Sequence, residues 1–259
     1  MASHPLNILV TRPTHQSQPL CSALEAHGHQ PLLLPTLKIA PVDGPAINKF
    51  KQQLSKWPLP DWLIFISSNA VEHSWPLYES APDLLEQTRI AAVGSATANA
   101  LSALGITVDA LPNQQFDSDG LLALPPFQPP LSGRILIIRG QGGRPYLGEQ
   151  LALRGAQVDY AECYQRLLPT AGADQLAIWL TSDHIDVVTI TSREALRNLF
   201  KLCPADHHHL LKRLSYVLLS PSVSSEATAL GITGQTVIAD QATDESLCKA
   251  AQNLELKAR

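Results

Sequence analysis

The stretch "LIFISSNAVEHSW", residues 63–75, runs from four apolar residues into two serines and an asparagine, and then into a helical pattern. Leu63, Ile64, Phe65 and Ile66 leave no polar position facing either side, which suits a strand buried on both faces of a parallel sheet. Ser67, Ser68 and Asn69 then stand at the strand's carboxyl end, just before a helix. Residues of this kind cap helices, and they also present hydroxyls and backbone N–H groups to an anion.

The same grammar recurs along the chain. Strand candidates are "NILVT" (7–11), "QPLLLP" (30–35), "WLIFI" (62–66), "RIAAV" (89–93), "RILIIR" (134–139), "VDYAEC" (158–163), "DVVTI" (186–190), "SYVLLS" (215–220) and "QTVIA" (235–239). Helical patterns lie between them, among them Gln16–Ala26, Ala70–Tyr78, Ala96–Leu104, Tyr146–Arg154, Glu194–Leu202 and Val223–Leu230. Apolar strands alternating with helices imply an α/β fold with doubly wound parallel sheets covered on both faces. The Pro-rich "LPPFQPPLSG" (124–133) reads by composition as a spacer between two such units.

An internal repeat sharpens this picture. "NILVTRP" at 7–13 returns as "RILIIRG" at 134–140, an offset of 127 (134 − 7). Gly28 and Gly155 close the following helices at the same offset, "ISSNAVEHSW" aligns with "ITSREALRNL" at 124 (190 − 66), and "VGSATANALSALGITV" with "LSPSVSSEATALGITG" at 126 (231 − 105). Four blocks at nearly one offset indicate a duplicated α/β unit. Both copies then carry hydroxyl-rich turns before helices: Ser67 and Ser68, and Ser95 and Thr97, in one; Thr191 and Ser192, and Ser220 and Ser222, in the other. Ligands of open α/β sheets bind outside the carboxyl ends of the strands, so these turns are candidate anion contacts.

Composition narrows the function. The 259 residues are enough for two ordinary domains and carry a formal net charge of −4, which disfavours a nucleic-acid surface. The four cysteines, Cys21, Cys163, Cys203 and Cys248, form no CxxC pair and read as reduced thiols of a cytoplasmic protein. No apolar run approaches the roughly 20 residues that span a bilayer, and the start has no signal-peptide pattern.

Individual motifs divide unevenly. "RGQGGRPYL" (139–147) is a Gly-rich strand-to-helix turn in which Gly140, Gly142 and Gly143 free the backbone to approach an anion while Arg139 and Arg144 flank them. It lacks the Lys-Ser/Thr ending of a P-loop and the spacing of GxGxxG, so nucleotide chemistry is not indicated. "ADHHHLLK" (205–212) places consecutive histidines in different directions around a helix, and the sequence offers no complete metal set. Tyr164, in "ECYQR" (162–166), lies 127 residues after the matching part of "PTLKIAP" (35–41), at corresponding exits of the two copies.

The segments "ILVTRP", "ISSNAV", "AAVGSATANALSALGI", "ILIIRGQGGRPYLGEQLALRGAQV", "ECYQR", "ITSREAL" and "ATDESL", in this order, resemble the uroporphyrinogen-III synthases over nearly the whole chain. That resemblance implies two similar α/β domains joined by a two-stranded linker, the first discontinuous: 1–37 with 168–259, the second 41–163, and linker strands at 38–40 and 164–167. It implies closure of hydroxymethylbilane to uroporphyrinogen III, with loss of water and inversion of the last ring, by a cytoplasmic monomer without metal or organic cofactor. Tyr164 matches the family's tyrosine implicated in catalysis. Arg12, Ser67, Ser68, Asn69, Ser95, Thr97, Arg139, Gly142, Arg144, Thr191, Ser192, Ser220 and Ser222 are the expected contacts to a polyanionic small-molecule substrate. The competing expectation is a two-domain protein that binds an organic polycarboxylate without transforming it; a nucleotide-sugar or NAD enzyme lacks its phosphate loop.

Overall fold

Short apolar strands need cover on both faces, and the helices that follow them supply it. The computed structural model describes residues 5–54, 59–78, 82–241 and 243–254. From the amino end come β1 (Asn7–Val10), α1 (Thr14–Ala26) and β2 (Gln30–Leu33). Then follow β3 (Lys38–Pro41), α2 (Gly44–Leu54), β4 (Trp62–Phe65), α3 (Ser68–Tyr78), α4 (Pro82–Gln87), β5 (Arg89–Ala92), α5 (Ser95–Ala103), α6 (Ser118–Leu122), β6 (Arg134–Gly140), α7 (Tyr146–Leu153) and β7 (Gln157–Leu167). The chain ends with α8 (Ala173–Thr181), β8 (Val187–Ile190), α9 (Arg193–Leu202), α10 (His208–Leu211), β9 (Ser215–Leu218), α11 (Pro221–Ala229), β10 (Thr236–Ile238) and α12 (Asp244–Gln252).

Two compact units result, one of residues 1–38 with 167–259, the other of 39–166. The first is built on a sheet of order β10-β9-β8-β1-β2, the second on β3-β7-β6-β4-β5. In the first sheet β1 pairs in parallel with β2 and β8, and β9 with β8 and β10. In the second, β4 pairs in parallel with β5 and β6, and β6 with β7. The α/β fold with parallel sheets is the one expected from the strand composition.

Each sheet is buried on both sides. In the first unit Leu9, Val188 and Leu218 face a core made with α8, α9 and α11, while Ile8, Val10, Val187 and Val217 face one made with α1 and α12. In the second, Leu63, Phe65, Leu136 and Ile138 pack with α3 and α5, and Trp62, Ile64, Ile135 and Ile137 with α6 and α7.

The central strand pairs are locked in the same way. Asp186 Oδ2 accepts from the N–H of Asn7 at 2.7 Å, while the Asp186 N–H donates to the Asn7 carbonyl at 2.9 Å. Asp61 Oδ2 accepts from the N–H of Arg134 at 2.7 Å, and the Asp61 N–H donates to the Arg134 carbonyl at 2.8 Å. The repeat is therefore one of contacts as well as of letters.

The Pro-rich segment corrects its compositional reading. It lies between α6 and β6, inside the second unit, and does not separate the two units. Phe127, held in a single 3-10 turn by Pro125 and Pro126, is fully buried against Trp62, with ring centroids 4.9 Å apart. Prolines here shape an anchor for an aromatic core residue. Phe127→Ala should therefore destabilise the second unit by about 3–5 kcal/mol, the usual cost of emptying a buried aromatic site. Urea unfolding followed by tryptophan fluorescence measures it, and a loss below about 1 kcal/mol would return the segment to the status of a spacer.

Candidate active site

A parallel sheet reverses its winding direction at one place, and there the two flanking loops diverge to leave a crevice at the carboxyl edge. In the first sheet the reversal falls between β1 and β8, in the second between β6 and β4. Arg12, Thr191 and Ser192 follow the strands at the first reversal; Ser67, Ser68, Asn69, Gly142 and Arg144 follow those at the second. Ser220 and Ser222 follow β9, and Ser95 and Thr97 begin α5 after β5, each one strand further out on the same edge.

Around Tyr164 the second reversal is built in detail. Strands β6 and β7 run in register from Arg134 and Gln157 up to Arg139 and Glu162, and then Gly140 pairs with Tyr164, leaving Cys163 as an extra residue. Such a bulge re-aims the side chains beyond it. Tyr164 therefore points to the same face as Ala161 and Cys163, into the core with Phe65 and Ile138. Its ring lies flat over Gly140, where a β-carbon would stand 2.5 Å from two ring carbons. The residue is fully buried, its hydroxyl included.

That hydroxyl has two partners. Ser67 Oγ stands 3.2 Å away, and Arg166 Nη2 donates to it at 3.1 Å, the Arg166 guanidinium carbon lying 5.4 Å from the ring centroid. His73, on α3, flanks the ring at 5.9 Å. Ser67 itself holds the start of α3: its Oγ accepts from the Ala70 N–H at 3.1 Å, and its carbonyl accepts from the N–H groups of Ala70 and Val71.

Other expected contacts are placed as follows. Arg139 bonds Glu162 on the next strand through Nη2 at 3.0 Å and Nε at 3.3 Å, and stacks on Tyr160 at 4.2 Å. Its charge is thus already met by a carboxylate of the protein. Arg12 is likewise paired, with Asp244 at the start of α12. Thr97 is buried within α5, whereas Ser95 is exposed. Ser192 caps α9, its Oγ accepting from the Ala195 N–H at 3.0 Å, and Ser220 Oγ lies 3.0 Å from Ser222 Oγ before and within α11. Gly142 has φ 66°, a conformation that suits glycine, and Arg144 is exposed beside it. Asp117 is held below the ordinary carboxylate range by hydrogen bonds from Gln115 and the Gly120 N–H, with a smaller contribution from the Arg144 charge.

The histidine run serves local structure: His208 Nε2 lies 2.8 Å from the Phe200 carbonyl and its ring packs edge-on to Phe200, while His209 Nδ1 meets the Asp206 carbonyl. Among the described residues no three of His, Cys, Asp and Glu gather as a metal set, and no described helix is long and apolar enough to cross a membrane. Burial pushes the Cys163 thiol up to about 12, so it stays an unreactive core thiol at neutral pH.

Arg166 is absent from the residues expected from sequence, and Gly140, expected to free the backbone toward an anion, instead makes room for the Tyr164 ring. Arg166 has no local signature, since its reach back to Tyr164 depends on the bulge. Gly140 carried one signal, a glycine closing an otherwise apolar strand, which marks close approach by a neighbour.

The fold and these strand-edge turns define the chain as a two-unit, doubly wound parallel α/β protein with polar helix starts at both winding reversals. The family model described as "Uroporphyrinogen-III synthase HemD" matches residues 18–249. The uroporphyrinogen-III synthase of Escherichia coli K12 is 31% identical over 260 residues, covering 95% of this chain and all of that protein. A mutant uroporphyrinogen III synthase from the extremely thermophilic bacterium Thermus thermophilus superposes with a TM-score of 0.64 at 19% identity, over 94% of this chain and 96% of its own. The Helicobacter pylori 26695 enzyme does so with a TM-score of 0.63 at 14% identity, over 95% and 98%. The chain belongs to the uroporphyrinogen-III synthase family, cofactor-independent cyclising lyases of haem biosynthesis.

Because the Tyr164 ring occupies the space a side chain would need at position 140, Gly140→Ala should cost about 1–3 kcal/mol through overpacking and displace the phenol from Ser67. Thermal unfolding reports the first effect and the tyrosine's hydroxyl environment, by ultraviolet difference spectroscopy, the second. An alanine variant with unchanged stability and spectrum would show that the ring yields freely.

Proposed function

We propose that this chain closes hydroxymethylbilane to uroporphyrinogen III, and that Tyr164 is the proton source for loss of the substrate's hydroxyl. Family membership supports the reaction. The carrying observation for the residue is the Tyr164 hydroxyl, buried just beneath the winding reversal and hydrogen-bonded to Ser67 and Arg166. On this reading the expected contacts serve to hold the substrate's carboxylates, apart from Ser67, which bonds the Tyr164 hydroxyl, and Arg12 and Arg139, which are already paired with Asp244 and Glu162. Helix starts and hydroxyls do so with about 0.3–1 kcal/mol from each helix dipole, with no need for a basic surface. The protein acts as a cytoplasmic monomer without cofactor, metal or nucleic-acid partner, and residues 38–40 and 164–167 carry the chain between the domains.

The chemistry follows from an electron-rich pyrrole. Protonation of the hydroxymethyl oxygen lets the C–O bond break, water leaves with the electron pair, and the pyrrole nitrogen carries the positive charge of the resulting azafulvene. The already substituted carbon of the last ring then attacks this electrophile, giving a spiro centre. Its older bond to the chain breaks, the ring turns over and recloses through its free carbon, and that carbon's proton is lost. The proton lent at the start is thereby returned, so the overall change is loss of one water. Unaided closure joins the free carbon directly and gives no inversion, so the protein's task is chiefly to hold the last ring in the attacking geometry.

Incubation of the purified protein with hydroxymethylbilane, followed by oxidation and separation of isomers, tests the reaction. Type III product should form in proportion to protein, and type I alone would overturn the assignment. Tyr164→Phe should lower the rate of type III formation by about 10²–10⁴-fold while the far-ultraviolet circular dichroism stays unchanged. Full turnover in that variant would reduce Tyr164 to a packing residue. Exhaustive dialysis against a chelator should leave the rate unchanged, and activity that returns only with added metal would refute cofactor independence.

A further inference from the structure

Tyr164 is fully buried, and among the described residues Ser67 Oγ is the one acceptor within reach of its proton. A phenol oxygen both accepts and donates, whereas a guanidinium only donates. Arg166 Nη2 donates to Tyr164, and were Ser67 to donate as well the buried phenol proton would have no acceptor, so we assign the Tyr164 proton to Ser67 Oγ. Ser67 Oγ then accepts twice, from Tyr164 and from the Ala70 N–H. A serine hydroxyl has two acceptor positions and one proton. Both acceptor positions are filled by the protein, and the Ser67 proton has no acceptor among the described residues. Unlike the tyrosine, Ser67 is partly exposed, at the carboxyl edge of the winding reversal.

Resting on the reading of Tyr164 as proton source, we propose that the proton reaches the substrate through Ser67, whose Oγ is the atom that meets the leaving hydroxyl. Ser67 gives its proton to the hydroxymethyl oxygen as the C–O bond breaks. In the same step it takes the proton of Tyr164, and the phenolate that remains faces the Arg166 guanidinium. The proton released from the last ring after reclosure restores the phenol. Ser67 is in this account a catalytic residue, and Arg166 a positioning residue that sets the direction of the phenol and balances its charge. Gly140 and the bulge at Cys163 serve the same end by fixing the ring.

The test compares Ser67→Gly, Ser67→Thr, Tyr164→Phe and the double variant Ser67→Gly/Tyr164→Phe by type III formation under saturating hydroxymethylbilane. Glycine replaces serine at a helix start with little loss of capping, so the fold is preserved while the hydroxyl is removed; thermal unfolding verifies this. Ser67→Gly should fall by the same roughly 10²–10⁴-fold as Tyr164→Phe, and the double variant should be no slower than either single one, as for residues acting as a unit. Ser67→Thr should recover turnover. The rate in mixtures of light and heavy water should bow for the unaltered protein, reflecting two protons in flight, and run straight for Ser67→Gly. Arg166→Gln should lower kcat with KM little changed. A Ser67→Gly variant that turns over normally while Tyr164→Phe is slow would overturn the relay, as would multiplicative losses in the double variant. Failure of the unaltered protein to make type III product would instead overturn the underlying reaction, so the two failures are told apart.

Discussion

An aspartate just ahead of a central strand, exchanging two hydrogen bonds with the first residue of its neighbour, sets the register of both sheets. Asp186 does this for β8 against β1, and Asp61 for β4 against β6. Hydrogen bonds to a charged acceptor are worth about 1.5–3 kcal/mol, and a slipped register would lose them together with the matched burial on both faces. The partners come from opposite copies of the repeat: β1 and β4 from the first, β6 and β8 from the second. Each sheet is therefore half of one copy and half of the other, and the winding reverses where the halves meet. The winding reversals at the carboxyl edges are a consequence of that exchange.

The two reversals are alike in backbone and different in side chains. At the first, Thr11 Oγ1 donates to the Thr189 carbonyl at 2.8 Å, Thr189 Oγ1 to the Leu9 carbonyl at 3.0 Å, and Asn198 Nδ2 to the Thr36 carbonyl at 2.9 Å. This buried network closes on itself and ties β1, β2, β8 and α9 together. At the second, the residues 127 positions on from Pro13 and Leu37 are Gly140 and Tyr164. Glycine removes the bulk that would keep a ring off the strand, and tyrosine supplies a ring with a proton at its tip. The second copy alone sets a buried phenol beside the serine that caps the next helix.

How far this could be read from the letters depended on the range of the forces involved. Strands and helices declare themselves through apolar runs and local period, and a constant offset between blocks survives any folding, so the paired α/β units were visible. Residues 124–133 misled because proline content reports backbone stiffness and says nothing of where Phe127 is buried. The bulge at Cys163 was invisible: alternation along "VDYAECYQR" puts Tyr160, Glu162 and Tyr164 on one face, and only the register shift after Arg139 turns Tyr164 to the other. The partnership of Arg139 with Glu162 was hidden for the same reason, since it depends on which strands are neighbours.

Capping a helix and serving a ligand look like competing uses of a serine, but they draw on different parts of the hydroxyl. A cap uses a lone pair: Ser67 Oγ receives the Ala70 N–H, and Ser192 Oγ receives the Ala195 N–H. The hydroxyl proton is left over, pointing away from the helix it caps, and its direction is set by whatever fills the second lone pair. At Ser192 a backbone N–H of the helix is the hydroxyl's hydrogen-bond partner. At Ser67 the second lone pair faces a buried phenol backed by a guanidinium. A donor pressed on that lone pair makes the outgoing O–H more acidic, because chains of hydrogen bonds polarise one another in a low-dielectric site. The same helix cap, repeated in both units, thus leaves its hydroxyl proton in different electrostatic company, according to what stands behind the oxygen.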